Sequence, residues 1–167
     1  SSAASDVYKR QDYDSNQMTM YSSIVTAARQ AMTNHTDLSL LIPSGTAIQN
    51  GRTSFLGDAF NRDGYHLEVT YGRYTAACTW FEMITGQNVV GNPYAPETID
   101  PQVVKIAQNA AHYAVQKPDE VTDLVDFKQP EISDTDLKAP IYIDFGPTSL
   151  SALSLIHISE PTRLDVI

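Results

Sequence analysis

Asp63 and His66 are the residues of this chain whose types and spacing are best suited to chemistry. A neutral imidazole has one protonated and one free ring nitrogen. A carboxylate that accepts from the first fixes the second as a base and stabilises the imidazolium formed when that base takes a proton. An aspartate three residues ahead of a histidine in a turn can reach it, and the intervening Gly64 lets the backbone bend. Alone the spacing is a weak signal, because surface loops contain Asp-x-x-His by chance. Other patterns are weaker still. Neither His-Glu-x-x-His nor a cysteine and histidine cluster occurs, so no metal or other cofactor is expected. Ser44 follows an apolar run, as a nucleophile would, but the G-x-S-x-G elbow needs glycine where Ile42 stands, and capping of a following helix suits Ser44 better. The single cysteine, Cys78, excludes an internal disulfide and reads as a small buried apolar residue.

The pair has to be held by the elements on either side of it. Ahead of it, Leu38-Ser39-Leu40-Leu41-Ile42 is short, almost wholly apolar and stopped by Pro43 and Gly45, which suits a strand buried on both faces of a parallel sheet flanked by helices. In open α/β sheets, sites gather beyond the carboxyl ends of strands, so chemistry is expected between Pro43 and His66. A short helix is expected over 46–55. After the pair, Tyr71, Tyr74, Ala77, Cys78, Phe81 and Ile84 mark an amphipathic helix capped near Thr70 and ended by Gly86, with Trp80 counted among its core aromatics. Two further helices follow from the same spacing. One carries Met18, Tyr21, Ile24, Val25, Ala28, Ala31 and Met32, with Asp14 or Ser15 as its cap and Asn34 at its end. The other starts near Pro101 and stops before Pro118, with His112 as a partly exposed residue on it. Asn34-His35-Thr36 also matches a glycosylation acceptor, though a helix-ending turn explains it better. Residues 88–98, rich in proline and asparagine, read as a loop bordering a cleft.

The two ends read differently. Residues 6–11 are DVYKRQ, which GATGTGTATAAGAGACAG encodes, and the reverse complement of that string encodes LSLIHI, residues 153–158. The string resembles the end of a transposase-type sequencing adapter, so residues 1–11 and 153–167 are expected to be translated adapter, outside the fold. Between them, residues 12–117 form the main domain and 118–138 a polar, acidic linker. Residues 139–152 then begin a further domain or supply an edge strand. Adapter-bounded sequence implies a piece of a longer gene product. The net charge is −9 and no basic cluster occurs, which argues against nucleic acid and anionic membrane surfaces as partners. No apolar run approaches the roughly 20 residues of a membrane span, and no signal peptide is visible.

In combination the motifs are more specific. The order of apolar strand, short helix, Asp-x-x-His loop and long helix resembles the C-terminal part of the SGNH (GDSL-like) hydrolases. More narrowly, three blocks look like the bacterial family called domain of unknown function 4886, over about residues 17–86. They are Ile42-Pro43-Ser44-Gly45-Thr46-Ala47-Ile48-Gln49-Asn50-Gly51-Arg52-Thr53-Ser54, then Arg62-Asp63-Gly64-Tyr65-His66-Leu67, then Gly72-Arg73-Tyr74-Thr75-Ala76-Ala77-Cys78-Thr79-Trp80-Phe81-Glu82. The resemblance implies an incomplete three-layer α/β/α sandwich, flavodoxin-like, with a mostly parallel sheet. It also implies ester hydrolysis, with deacetylation of carbohydrate as the expected reaction, by a periplasmic or secreted serine esterase in which Asp63 is the orienting acid and His66 the base. Gln49, Arg52 and Arg73 would then face substrate, support the pair or tie loops together. The Gly-Asp-Ser nucleophile block, the oxyanion-hole glycine and the Gly-x-Asn-Asp asparagine of that pattern are not in this sequence, so the chain itself is expected to be inactive. The alternative is a non-catalytic carbohydrate-binding or surface protein that keeps the fold.

Overall fold

The computed structural model describes residues 13, 16–63 and 66–131. The chain divides into two units, Ser1–Pro130 and Glu131–Ile167, and of the second only Glu131 is among the described residues. Every described helix belongs to the first. Both adapter-like ends and the strand expected at 140–146 lie outside the described residues, as do Gly64 and Tyr65.

Four α-helices occupy the described part; three form where the apolar spacing placed them, and the fourth is the short helix expected after Pro43. α1, Gln17–Asn34, starts at Asn16, whose side chain accepts from the backbone N–H groups of Met18 and Thr19. Asn16 therefore takes the capping role expected of Asp14 or Ser15, because its oxygen reaches the second and third orphan donors of the helix. Asn34 is the last helical residue, and the cap is His35, extended, with its N–H on the Ala31 carbonyl. α2, Ser44–Arg52, begins two residues before the expected start. Pro43 stands at its N-cap, and Ser44 does not cap: its hydroxyl is buried with no hydrogen-bond partner among the described residues. A short 3-10 helix, Gly57–Phe60, follows, and a second, Val125–Phe127, lies after the last α-helix. α3, Tyr71–Thr85, ends as expected at Gly86, which adopts the left-handed conformation (φ 69°) that glycine takes without a Cβ penalty. α4, Pro101–Gln116, is capped by the Asp100 side chain on the Gln102 N–H.

The expected α/β sandwich is not what the described residues form. Of them, 57% are helical and 2% take part in β pairing, with no sheet. The pairing is one antiparallel bridge, Asn61 with Leu67. Residues 38–42, expected as a buried parallel strand, are irregular, and Leu38 and Leu40 are 46% and 47% exposed. The physical reason is that apolar composition suits a strand but cannot make one. A strand's N–H and C=O groups need partners on neighbouring strands, and no described segment runs alongside to supply them.

The core is instead built where α2, α3 and α4 pack together. Alanine makes this approach close: Ala107, Ala110, Ala111 and Ala114 on one face of α4 are fully buried. One cluster gathers Tyr74 and Cys78 of α3 with Val89, Ile99, Ala107 and Ala111. The other gathers Ile48 of α2 and Phe60 with Ile106, Ala110 and Leu124. Leu124 belongs to the stretch expected as a linker; over its described part that stretch is tied down at Leu124 and by hydrogen bonds, while most of its residues remain exposed. Asn50, fully buried on α2, donates to the Ala110 carbonyl and accepts the Thr122 N–H at 2.6 Å. Thr53 Oγ1 accepts the Leu124 N–H, and the Phe55 N–H bonds the Phe127 carbonyl. Polar, proline-punctuated sequence reads as solvated, yet here its polar backbone is satisfied by α2 and the residues just after it, and Leu124 is buried.

Trp80 is a second correction. It is 53% exposed. α3 buries Tyr74, Thr75, Cys78, Thr79 and Glu82, and the positions at Arg73, Ala77, Trp80 and Ile84 form the opposite, outward stripe. Apolar residues thus lie on both faces of α3, so hydrophobicity alone did not tell which face turns inward.

Candidate functional site

The Asp63–His66 turn rises from a short hairpin with a well-packed base. Phe60, fully buried, seats the incoming chain, and its ring meets Tyr71 edge to face at 5.3 Å. Tyr71 in turn donates its hydroxyl to the Ala59 carbonyl. Two glycines make room for this seat: a Cβ on Gly51 would lie 2.5 Å from the Phe60 ring, and one on Gly72 would lie 3.0 Å from the Phe60 carbonyl oxygen. Beyond Phe60 the chain pairs with itself, the Arg62 N–H on the His66 carbonyl at 3.1 Å and the Glu68 N–H on the Phe60 carbonyl at 2.8 Å.

Within the turn, Asp63 holds His66 twice. One carboxylate oxygen accepts the His66 backbone N–H at 2.7 Å, and the other lies 2.8 Å from His66 Nδ1. The first bond is an Asx-type turn that any short acidic side chain favours. The second is the side-chain contact that the three-residue spacing suggested. It makes Nδ1–H the donor to the carboxylate and leaves Nε2 as the basic nitrogen. The side chains are 56% (His66) and 49% (Asp63) exposed, so the pair stands at the surface and is not walled in.

Of the other residues expected near it, Gln49 and Arg52 are engaged elsewhere. Gln49 accepts from the Gln17 side chain at 2.8 Å and ties α1 to α2. Arg52 is paired with Asp58 across the turn after α2. Both are therefore ties between elements. Arg73 is exposed on the outward stripe of α3. Residues 88–98 are pinned to α4 by Gln108, which accepts the Gly91 N–H and donates to the Asn92 carbonyl and to the Tyr74 hydroxyl.

Sequence reasoning missed two carboxylates. Glu68, two residues after His66, caps α3 from outside, its Oε2 accepting from the N–H and the hydroxyl of Thr70 and from the Gly72 N–H. Burial pushes its pKa up, but these hydrogen bonds together outweigh that and hold the carboxyl below its ordinary value. The [ST]-x-x-E signature would not have found it, because here the acid precedes the cap. Glu82 is the other. It is buried on α3, with one oxygen 2.7 Å from His112 Nδ1 and the other accepting the Val89 N–H at 3.0 Å. The separation of thirty residues between Glu82 and His112 left no local signal for this pair. His112 Nε2 is met by the Gln116 side chain at 2.7 Å, so the imidazole is bonded at both nitrogens and works as a brace between α3 and α4. Cys78 is buried as expected; burial raises its thiol to about 11, which keeps it protonated and unreactive. Among the described residues no group of three or more histidine, cysteine, aspartate or glutamate side chains is placed to hold a metal ion, and no helix is long and apolar enough to cross a membrane.

A helical body carrying one half-exposed His–Asp pair on a hairpin is thus the unit to be compared. The family described as "Domain of unknown function (DUF4886)" matches residues 2–114, and the chain belongs to it. A crystal structure of a DUF4886 family protein from Bacteroides uniformis ATCC 8492 is similar, with 59% sequence identity and a TM-score of 0.68. The match covers 71% of this chain and 46% of that one, so the chain spans less than half the length of that relative. No curated protein matches.

Proposed function

We propose that Asp63 and His66 are the orienting acid and the base of a serine esterase site of the SGNH type, acting on acetyl or similar ester groups of carbohydrates outside the cytoplasm. The observation that carries the reading is the 2.8 Å contact between Asp63 and His66 Nδ1, reinforced by the second Asp63 oxygen on the His66 backbone. In such a site, His66 Nε2 takes the proton of a serine hydroxyl as its oxygen attacks the ester carbonyl. The imidazolium, stabilised by Asp63, then returns that proton to the departing sugar alcohol, and water repeats the sequence to release the acid. The serine and the oxyanion donors belong, by the motif resemblance, to a block that these 167 residues do not contain. Ser44 does not replace it, since its hydroxyl is buried.

The test is made on the full-length gene product. His66→Ala is expected to abolish acetate release from an acetylated sugar and from an aryl acetate. Asp63→Asn, which keeps the shape but reverses the preferred ring tautomer, should lower kcat by about 10³- to 10⁴-fold. Turnover within twofold of the parent in either variant refutes the reading. The 167-residue chain alone should release no acetate.

A second reading has an observation of its own. Trp80 and Tyr94 are 53% and 73% exposed, and exposed aromatic faces stack on sugar rings. Under that reading the protein binds carbohydrate without chemistry. Trp80→Ala and Tyr94→Ala would then weaken retention on an immobilised polysaccharide, while His66→Ala would not.

A further inference from the structure

The side chains of the Asp63–His66 pair are half exposed, so the angle at which ring and carboxylate meet depends on the turn that carries them. What holds it lies below. The hairpin is closed by one antiparallel bridge, Asn61 with Leu67, and a ribbon of that size is marginal by itself. Immediately after it comes Glu68. Its backbone belongs to the hairpin, through its N–H on the Phe60 carbonyl at 2.8 Å. Its side chain belongs to α3, through Oε2, which accepts the Thr70 N–H at 2.8 Å, the Thr70 hydroxyl at 2.8 Å and the Gly72 N–H at 3.3 Å. Its carbonyl accepts the Arg73 N–H at 3.1 Å.

The first turn of a helix leaves backbone N–H groups without partners, and the residue at the N-cap ordinarily satisfies one with its own side chain. Thr70 stands at the N-cap of α3 and makes no such bond, because its hydroxyl is given to Glu68. One carboxylate oxygen therefore gathers three donors and joins helix to hairpin at a point two residues from the histidine.

We propose that Glu68 is the positioning residue of the Asp63–His66 pair, fixing the hairpin base against α3 and through it the contact between the His66 ring and the Asp63 carboxylate. The role rests on the acid and base reading of that pair. Glu68 itself touches neither substrate nor reacting atoms. It keeps Nδ1–H on Asp63, and hence the basic nitrogen facing away from it.

The ring nitrogens of His66 report this directly in the 15N-labelled 167-residue chain, with no need for turnover. In the parent, the Nδ1–H tautomer should dominate. In Glu68→Ala the tautomer ratio should fall by about tenfold, the factor carried by one charge-assisted hydrogen bond. Glu68→Gln retains an acceptor oxygen and should restore most of the ratio, and Thr70→Val, which removes one of the three donors, should fall between. Amide signals of Ile106 and Ala110 check that the core persists. A parental ratio in Glu68→Ala with α3 intact overturns the proposal. So does Glu68→Gln behaving like Glu68→Ala, which would trace the effect to charge and not to position. Should Glu68→Ala lose α3, the decision passes to Thr70→Val, and an unshifted ring there overturns it. A parent ring identical to that of Asp63→Ala removes the acid and base reading first, whatever the Glu68 variants do.

Discussion

At the scale of single residues, the site is shaped as much by what is missing as by what is present. Gly51 is the clearest case. It lies on α2 with the ring of Phe60 where a side chain would be, and a Cβ there would come within 2.8 Å of ring carbons Cε1 and Cε2 and within 2.5 Å of Cζ. Phe60 is fully buried in the cluster of Ile48 and Ile106, with Tyr71 against its ring, so it has no solvent to retreat into. Gly51→Ala is expected to destabilise the fold by about 1–3 kcal/mol, the usual cost of overpacking, measured as a shift in the urea midpoint at constant slope. Because Phe60 begins the hairpin, the same variant should also loosen the Asp63–His66 contact, whereas Gly45→Ala, with open space at its Cβ, should do neither. Asp63 and His66 were legible in the sequence because a three-residue spacing is local. Gly51 was not legible as a packing partner of Phe60, and no local pattern shows that Gln49 and Arg52 spend their side chains on Gln17 and Asp58.

At the scale of elements, helices were readable to within a few residues and the sheet was not. Helical periodicity is a property of a segment alone, and it placed α1, α3 and α4 correctly. Caps shifted by a residue or two, as Asn16 did, because several neighbouring polar residues could serve equally. Residues 38–42 failed for a different reason, since strand formation depends on neighbours that the segment does not carry. The start of α3 offers a test of how an element is secured by a single charge. Glu68 has its pKa depressed in the fold, so its contribution is fully present above its ordinary value of 4.5 and is lost as pH falls through the lowered, folded value. Stability to urea should therefore decline on acidification from about pH 5 downwards, and Glu68→Gln should flatten the part of that decline that Glu68 supplies. The two proteins should converge at the acid end, where the parent has lost its charge as well. A variant whose stability tracks the parent at every pH would show that the carboxylate is not the group that caps α3.

At the scale of the whole described unit, cohesion is uneven, and the unevenness is where the sequence was least informative. α2, α3 and α4 share two apolar clusters, and residues 118–130 close over them through Leu124 and the bonds to Asn50 and Thr53. α1 is attached otherwise. Its one buried side chain is Tyr21, and its ties are polar: Tyr21 to Thr46 at 2.9 Å, Gln17 to Gln49, and an exposed Arg29–Asp119 pair. An exposed ion pair of this kind adds at most about 1 kcal/mol. Met18 and Ile24, on the apolar stripe of α1, are exposed in this structure. Opening free energies should follow this division. Amide hydrogen exchange in α1 is expected to proceed by local detachment with little protection. The amides of Ile106, Ala107, Ala110 and Ala111 should exchange only on global unfolding, since a residue buried from every side cannot be released piecemeal. Tyr21→Phe, which removes the hydroxyl that Thr46 accepts while Thr46 still donates to the Pro118 carbonyl, should speed exchange in α1 without changing α4. If α1 and α4 instead exchange at one common rate, α1 is part of the cooperative core, and Tyr21 holds it more firmly than its few polar ties account for.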